Sequence, residues 1–245
     1  MNERVYVHEF IDIIGQNRAK YIHHMTANWC PIALEERNQL CFGVWGTVGS
    51  TGRWPEVVNL WELPSWDDLG RSFDMERSTP KLQDKSLISW WAEAAPLRRG
   101  GVDRVLVAAP WTRGIEELVA DGVRGDFYAH EVVTLPTGTA ASFLDRLRDT
   151  GKDAVEAHGL TLAGAWRTAM ADDGECLVIW AVPDWRTWVG FEQAWLMPGP
   201  LDPWRKELIA MDAHVDRILL MDSPLNPMKT GRQPQVEDRR PLSDI

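Results

Sequence analysis

Leu60-Trp61-Glu62-Leu63-Pro64-Ser65-Trp66 and Ile179-Trp180-Ala181-Val182-Pro183-Asp184-Trp185 decide the reading of this chain. Each is an apolar run ending in Pro-x-Trp, the pattern of a strand that stops and hands over to a helix. They lie 119 positions apart, and other pairs keep the same order around them. Tyr6-Val7-His8-Glu9 returns as Tyr128-Ala129-His130-Glu131, and Gly43-Val44-Trp45 as Gly164-Ala165-Trp166. Trp91 returns as Trp204, and Val102-Asp103-Arg104-Val105-Leu106 as Val215-Asp216-Arg217-Ile218-Leu219. The offsets run 122, 121, 119 and 113 along the chain, as loop deletions in the second copy would produce. The chain is an internal duplication.

Both copies show the same succession of patterns. Val5–Ile11 is a strand by its β-branched and aromatic content. Gly15 to about Asn28 has Tyr21, Ile22, Met25 and Trp29 at helical spacing, and this helix is expected to end before Pro31. Leu40–Val48 and Glu56–Leu63 form a hairpin across Gly49-Ser50-Thr51-Gly52. Helices are expected over Trp66–Met75 and Leu87–Ala95, then a strand over Val102–Ala108. In the second copy the corresponding elements are Phe127–Leu135, Thr139–His158, Leu162–Thr168, Cys176–Val182 (after the turn Asp172-Asp173-Gly174), Trp185–Trp195 and His214–Met221. A βαββαβ order gives an antiparallel sheet with helices on one face, the ferredoxin-like arrangement. The other face of each sheet must also be buried, and two units facing each other achieve this. The expected fold is α+β: two tandem ferredoxin-like units forming an intramolecular dimeric α/β barrel. Its expected parts are residues 1–112, a connector 113–126 with a short helix at Ile115–Val119, residues 127–225, and a polar tail 226–245 that is either disordered or an arm laid over the surface.

Composition narrows the function classes. Of 245 residues, 44% are hydrophobic, and the formal charge is -10. That charge opposes nucleic acid and anionic membranes as partners. No apolar run is long enough to span a bilayer, and the opening Met1-Asn2-Glu3-Arg4 leads straight into a strand with no signal-peptide character. Cys30, Cys41 and Cys176 are odd in number and lack metal-ligand spacing, so they read as reduced thiols of a cytoplasmic protein. Fourteen Trp beside three Tyr and six Phe imply an aromatic core or an aromatic-lined cavity.

The opening strand Val5-Tyr6-Val7-His8-Glu9-Phe10, the helix-starting Gly15 and the motif Val57-Val58-Asn59-Leu60-Trp61-Glu62-Leu63 resemble the NIPSNAP-like branch of the dimeric α/β-barrel superfamily. The resemblance covers both halves, about 220 residues. It departs at the first strand, where that branch has an acidic residue two positions before an arginine. Here Tyr6 and His8 take those positions, as do Tyr128 and His130 in the second copy, so no family site carries over. The superfamily includes cofactor-free monooxygenases, isomerases, lyases and cyclases as well as haem enzymes, and the fold does not choose among them.

Strand parity sorts the candidates for chemistry. Tyr6, His8, Phe10 and Asp12 share one face of the first strand, with Tyr128 and His130 in the second copy, and this face is expected to point into the barrel. The Asn59/Trp61 and Trp180 faces are assigned to the same interior, with Trp45 and Trp166. An enclosed imidazole exchanges a proton near neutral pH, and a buried phenol donates to a developing oxyanion. The expected activity is therefore acid–base chemistry of a lyase, dehydratase or isomerase, with no cofactor or metal, on a hydrophobic oxygenated small molecule. His8 is the expected general acid/base and Tyr6 and Asn59 the polar anchors. Phe10, Asp12, Trp45, Trp61, Tyr128, His130, Trp166 and Trp180 are the expected binding residues. The competing readings are a core-only role for the histidines, a non-catalytic hydrophobic-ligand or interaction protein, and a haem protein with His8 or His130 as proximal ligand. Glu9 and Glu131 fall on the helix-facing side and read as structural carboxylates paired with Lys20 or Arg146. His23 and His24, about 100° apart on one helix, are poor joint metal ligands and read as surface residues. Homodimerisation through sheet edges and Trp-rich helices is the expected association.

Overall fold

The computed structural model describes residues 2–80, 84–170 and 173–245. Its elements run β1 Val5–Ile13, α1 Arg18–His23, α2 Cys30–Arg37, β2 Leu40–Thr47, β3 Glu56–Leu63, α3 Trp66–Glu76, α4 Ile88–Ala94 and β4 Arg98–Ala108 in the first copy. After α5 (Ile115–Ala120) come β5 Phe127–Thr134, α6 Ala140–Arg146, α7 Lys152–Glu156, β6 Thr161–Ala169, β7 Glu175–Val182, α8 Trp185–Leu196, α9 Asp202–Ala210 and β8 His214–Asp222, with α10 Pro227–Thr230 in the tail. Of the expected turn Asp172-Asp173-Gly174, Asp172 lies outside the described residues.

All eight strands close into one antiparallel barrel in the order β1-β3-β2-β8-β5-β7-β6-β4. Each copy contributes a four-stranded sheet, β4-β1-β3-β2 or β8-β5-β7-β6, the order that a βαββαβ unit dictates. Within a sheet the central strands pair along their whole length, as in β1 from Val5↔Leu63 to Asp12↔Glu56. The two seams are short: Trp45–Thr47 against Leu220–Asp222, and Val105–Ala108 against Trp166–Ala169. Closure removes the free edges that an open sheet would expose.

The Gly-x-Trp repeat has a steric origin. A Cβ on Gly43 would land inside the indole of Trp45, and one on Gly164 inside that of Trp166. Each Trp folds back along its strand over the residue two positions earlier on the same face. Both strands carry an irregularity there, between Cys41 and Gly43 and between Leu162 and Gly164. Trp45 and Trp166 fill the barrel with Tyr6, Phe42, Leu60 and Tyr128, all fully buried. Ile115 and Leu118 of α5 join the same cluster and plug the end of the barrel near Tyr6.

One expectation about the helices changes, and the tail takes one of its two expected forms. The first helix does not end before Pro31: His24–Trp29 widens into a π segment and α2 continues through Pro31 to Arg37. The wider turn bonds the Cys30 amide to the Met25 carbonyl, so the helix advances past a residue that has no N–H of its own. The second copy has a π segment in the same place, Leu147–Gly151. The tail is an ordered arm. Its Gln233 amide donates to the Cys41 carbonyl and accepts from the Cys41 N–H, both at 2.9 Å, while Asn226 accepts from Val44 N–H at 3.0 Å. These side-chain amides serve the stretch of β2 that β8 is too short to reach.

Candidate functional site

Register settles which side chains share a face. His8 stands opposite Leu60, Tyr6 opposite Glu62 and Phe10 opposite Val58. Directly opposed residues point the same way, so Val58, Leu60 and Glu62 face the barrel interior with Tyr6, His8 and Phe10. Asn59 and Trp61 point outward toward the helices, and so does Trp180. The expectation that these three line the barrel is thus corrected. Parity along one strand fixes which residues go together, but only the pairing shows which set faces in.

Inside the barrel, His8 and His130 meet with Nε2 to Nε2 at 2.9 Å, both fully buried. Burial first, then the neighbouring imidazole and Arg104, holds the His8 pKa well below the ordinary value. Burial and Arg104 bring His130 down to about 3. Both rings stay neutral at physiological pH, and the barrel around them is packed with the aromatic side chains named above. Tyr6 donates to Glu62 Oε2 at 2.9 Å, an oxygen that also accepts from the Ile115 amide at 2.9 Å. The Tyr128 hydroxyl accepts from the Gly125 amide at 3.4 Å, and Asp12 pairs with Arg53 at the barrel mouth. Tyr6, His8, Trp45, Tyr128, His130 and Trp166 are thus brought together as core. The interior expected to hold substrate around His8 is occupied by these side chains, and His8 itself is fully buried.

Open space lies instead between the outer face of the first sheet and its helices. A cleft of about 230 Å³ there is lined by Glu9, Trp29, Trp61, Trp90, Trp91, Arg98 and Asp103 among others. Glu9 Oε2 accepts from Trp61 Nε1 at 2.7 Å and from Asn59 Nδ2 at 2.9 Å. Asn59 Nδ2 also donates to the Tyr21 hydroxyl at 3.1 Å. Burial raises the Glu9 pKa and the facing Asp103 raises it further, while the two hydrogen bonds and Arg98 act the other way. Arg98 lies over the Trp91 ring, 5.2 Å from its centroid.

The second copy repeats the core of this arrangement and closes it. Trp180 Nε1 donates to Glu131 Oε2 at 3.1 Å, but Arg217 Nε donates to the other oxygen, Oε1, at 2.7 Å. The Arg217 guanidinium is covered by Trp195, Phe191 and Trp188, at 4.8, 5.1 and 5.8 Å. The cause of the difference is a one-residue shift in β4. Tyr6 pairs with Leu106 and Glu9 with Asp103, whereas Tyr128 pairs with Leu220 and Glu131 with Arg217. Asp103 therefore occupies the position of Arg217, and Arg104 the position of Ile218. The Val-Asp-Arg match in the sequence is real as a repeat but one position out of structural register. It points Arg104 into the barrel and leaves Glu9 opposite a like charge.

Glu9 and Glu131 do not pair with Lys20 or Arg146, contrary to the sequence reading. Composition could not single out Glu9; its signal is that a Glu on the first strand and a Trp on the third recur in both copies, as Glu9/Trp61 and Glu131/Trp180. His24 is buried rather than on the surface, with Nε2 at 3.1 Å from the Trp90 carbonyl and Nδ1 accepting from Asn28 at 2.9 Å. His23 accepts from the Arg240 amide of the arm at 3.2 Å.

No family model matches the chain, and no curated protein matches it. Solved structures do. A monooxygenase candidate from Lactobacillus acidophilus NCFM superposes with a TM-score of 0.55 at 8% identity, covering 89% of this chain and 96% of that one. The fold is that of the dimeric α/β barrels. A mutant chlorite dismutase from Candidatus Nitrospira defluvii matches at 0.53 and 9% identity, covering 94% and 95%. A heme-binding protein from Thermus thermophilus matches at 0.51 and 11%, covering 91% and 92%. A NIPSNAP-like domain protein from Burkholderia xenovorans aligns with 46% of this chain and 92% of its own, at a TM-score of 0.36 and 16% identity. Among the described residues, no helix is long and apolar enough to cross a membrane.

The heme-binding and chlorite dismutase neighbours overturn the expectation of a protein without a cofactor: the barrel is shared with a protein that binds heme. The heme ligands expected from the sequence do not fit. His8 and His130 bond each other through Nε2, the atom an iron would need, and both rings are fully buried. Among the described residues, the cleft on the first copy is lined by no imidazole, thiol or phenol to serve as a proximal donor, and its only soft donor is the thioether of Met25. Its volume also lies below the range of ordinary ligand pockets, roughly 300–1,000 Å³.

Proposed function

We propose that this protein binds a small, planar, oxygenated molecule in the first-copy cleft and transfers protons to or from it through Glu9. The asymmetry between the copies carries this reading. Glu131 has both carboxylate oxygens bonded under a roof of aromatic rings, whereas Glu9 has its two bonds on Oε2 and opens onto a cleft. A carboxyl anchored through one oxygen presents the other to a ligand in fixed orientation. Burial and Asp103 raise its proton affinity toward the range useful in acid–base catalysis. Trp29, Trp61, Trp90 and Trp91 supply flat apolar walls, and Arg98 a guanidinium for developing negative charge on a substrate oxygen. This is lyase or isomerase chemistry at Glu9 rather than at His8.

An enolisable aryl ketone, 1-tetralone, is a suitable probe. Incubated with the protein in D₂O, it is expected to gain deuterium next to the carbonyl faster than in buffer, as read by NMR. Glu9→Gln, which keeps the shape and the bond from Asn59 or Trp61, is expected to remove most of that acceleration, about 10²–10⁴-fold for a lost general base. Equal exchange in the wild type and Glu9→Gln would overturn the assignment.

A further inference from the structure

The two ends of the barrel are closed differently. α5 plugs the Tyr6 end with Ile115 and Leu118. At the Phe10 end there is a cleft of about 370 Å³, within the usual range for small-ligand pockets. Its apolar surface comes from Phe10, Val102, Val132 and Ile218, and Val102 is 51% exposed. Beneath this surface lies His130 and beside it Arg104, which the β4 shift has turned inward.

Arg104 is tied down on one side only. Its Nε and Nη2 donate to the two oxygens of Glu175 at 2.8 and 3.3 Å, and the guanidinium carbon lies 5.6 Å from the centre of the Phe10 ring. Its Nη1 is buried and has no partner among the described residues. The Nδ1 atom of His8 is also buried without a partner there, and that of His130 has only its own backbone carbonyl to bond. Because one Nε2 must donate to the other, at least one of these Nδ1 atoms carries a proton. Buried donors without acceptors are rare in native proteins, and each calls for a partner, which water, an ion or a ligand can supply.

We propose that this open end of the barrel is a second binding site, for a small apolar molecule that ends in a single carboxylate. The carboxylate takes the free Arg104 Nη1–H, and the apolar body covers Phe10, Val102 and Ile218. Three rim carboxylates, on Asp12, Glu56 and Asp216, disfavour a ligand with more than one negative charge. Arg53 already pairs with the first two of them. The site is separate from the Glu9 cleft, since β1 presents its even-numbered residues here and its odd-numbered ones there.

Hexanoate is the probe. Calorimetric titration into the wild type is expected to show saturable binding at one site, accompanied by shifts of the His130 ring resonances. Val102→Glu changes an exposed side chain, leaves the packing intact, and is expected to weaken binding at least tenfold. Arg104→Gln is expected to do the same; it also breaks the Glu175 pair, which is why the surface variant carries the decision. Glu9→Gln is expected to bind like the wild type. No saturable binding, which would mean that water alone satisfies these donors, overturns the proposal. Binding that survives Val102→Glu, or that is lost in Glu9→Gln, also overturns it.

Discussion

Acid should unfold this protein through its two central histidines. In the folded barrel His130 titrates at about 3, and burial and Arg104 push His8 in the same direction. In the unfolded chain both revert to about 6.5. Above that pH both states hold neutral rings and the pair has no effect on stability. Below it the unfolded state binds protons that the folded state refuses, so stability falls from about pH 6.5 down to the folded value. At pH 4.5 the cost from His130 alone is roughly 3 kcal/mol, at 1.36 kcal/mol per unit over two units, and His8 adds to it. Total stabilities are only about 5–15 kcal/mol, so the loss is large. Carboxyl groups raised by burial oppose it. Glu56 and Asp222 at about 6, with Glu9 and Glu62, stabilise the fold at low pH and lose that contribution as pH rises through their folded values. A difference measurement removes them. Urea unfolding followed by Trp fluorescence is compared at pH 7.0, 5.5 and 4.5 for the wild type and His8→Leu/His130→Leu. The variant is expected to gain on the wild type by about 3 kcal/mol or more between pH 7.0 and 4.5. Parallel curves for the two proteins would refute the view that these rings are neutral core residues.

Gly43→Ala forces a methyl group into the Trp45 indole, and overpacking of this kind is expected to cost about 1–3 kcal/mol or more, seen as a lower urea midpoint. Arg217→Met leaves the Glu131 carboxylate buried and unpaired, a loss of about 3–5 kcal/mol; adding Glu131→Gln should recover most of it in the same assay. Asp103→Asn removes the like charge that faces Glu9, so the Glu9 pKa falls. The pH profile of tetralone exchange is expected to move to lower pH, with the limb unmoved if Asp103 has no part in tuning it.

The duplication, the strand order and the hairpins were legible because each rests on local chemistry repeated twice. Gly-x-Trp reports a side chain folding over its own strand, and Trp-x-x-Pro-x-Trp a strand giving way to a helix. The placement of Tyr6, His8 and Phe10 toward the interior also followed from parity. Asn59, Trp61 and Trp180 were misplaced because an alternating strand with two apolar faces offers no local sign of which one turns inward. His24 and Pro31 escaped for a related reason: a π turn widens the helix, so the 100° periodicity that places residues on one face no longer holds. Glu9 was recognised as facing the helices, yet its partners, Trp61 and Asn59, are some fifty residues away.

What the sequence determined by itself was the architecture: two copies of one βαββαβ unit, each with an apolar sheet face that only a partner sheet can cover. Tertiary structure decided where chemistry is available. A single-residue shift in β4, invisible beside a well-matched Val-Asp-Arg repeat, placed Asp103 against Glu9 and turned Arg104 inward. Moving a strand by one position exchanges every side chain between its two faces. A local repeat cannot encode that choice; it arises from pairing between strands far apart in the chain.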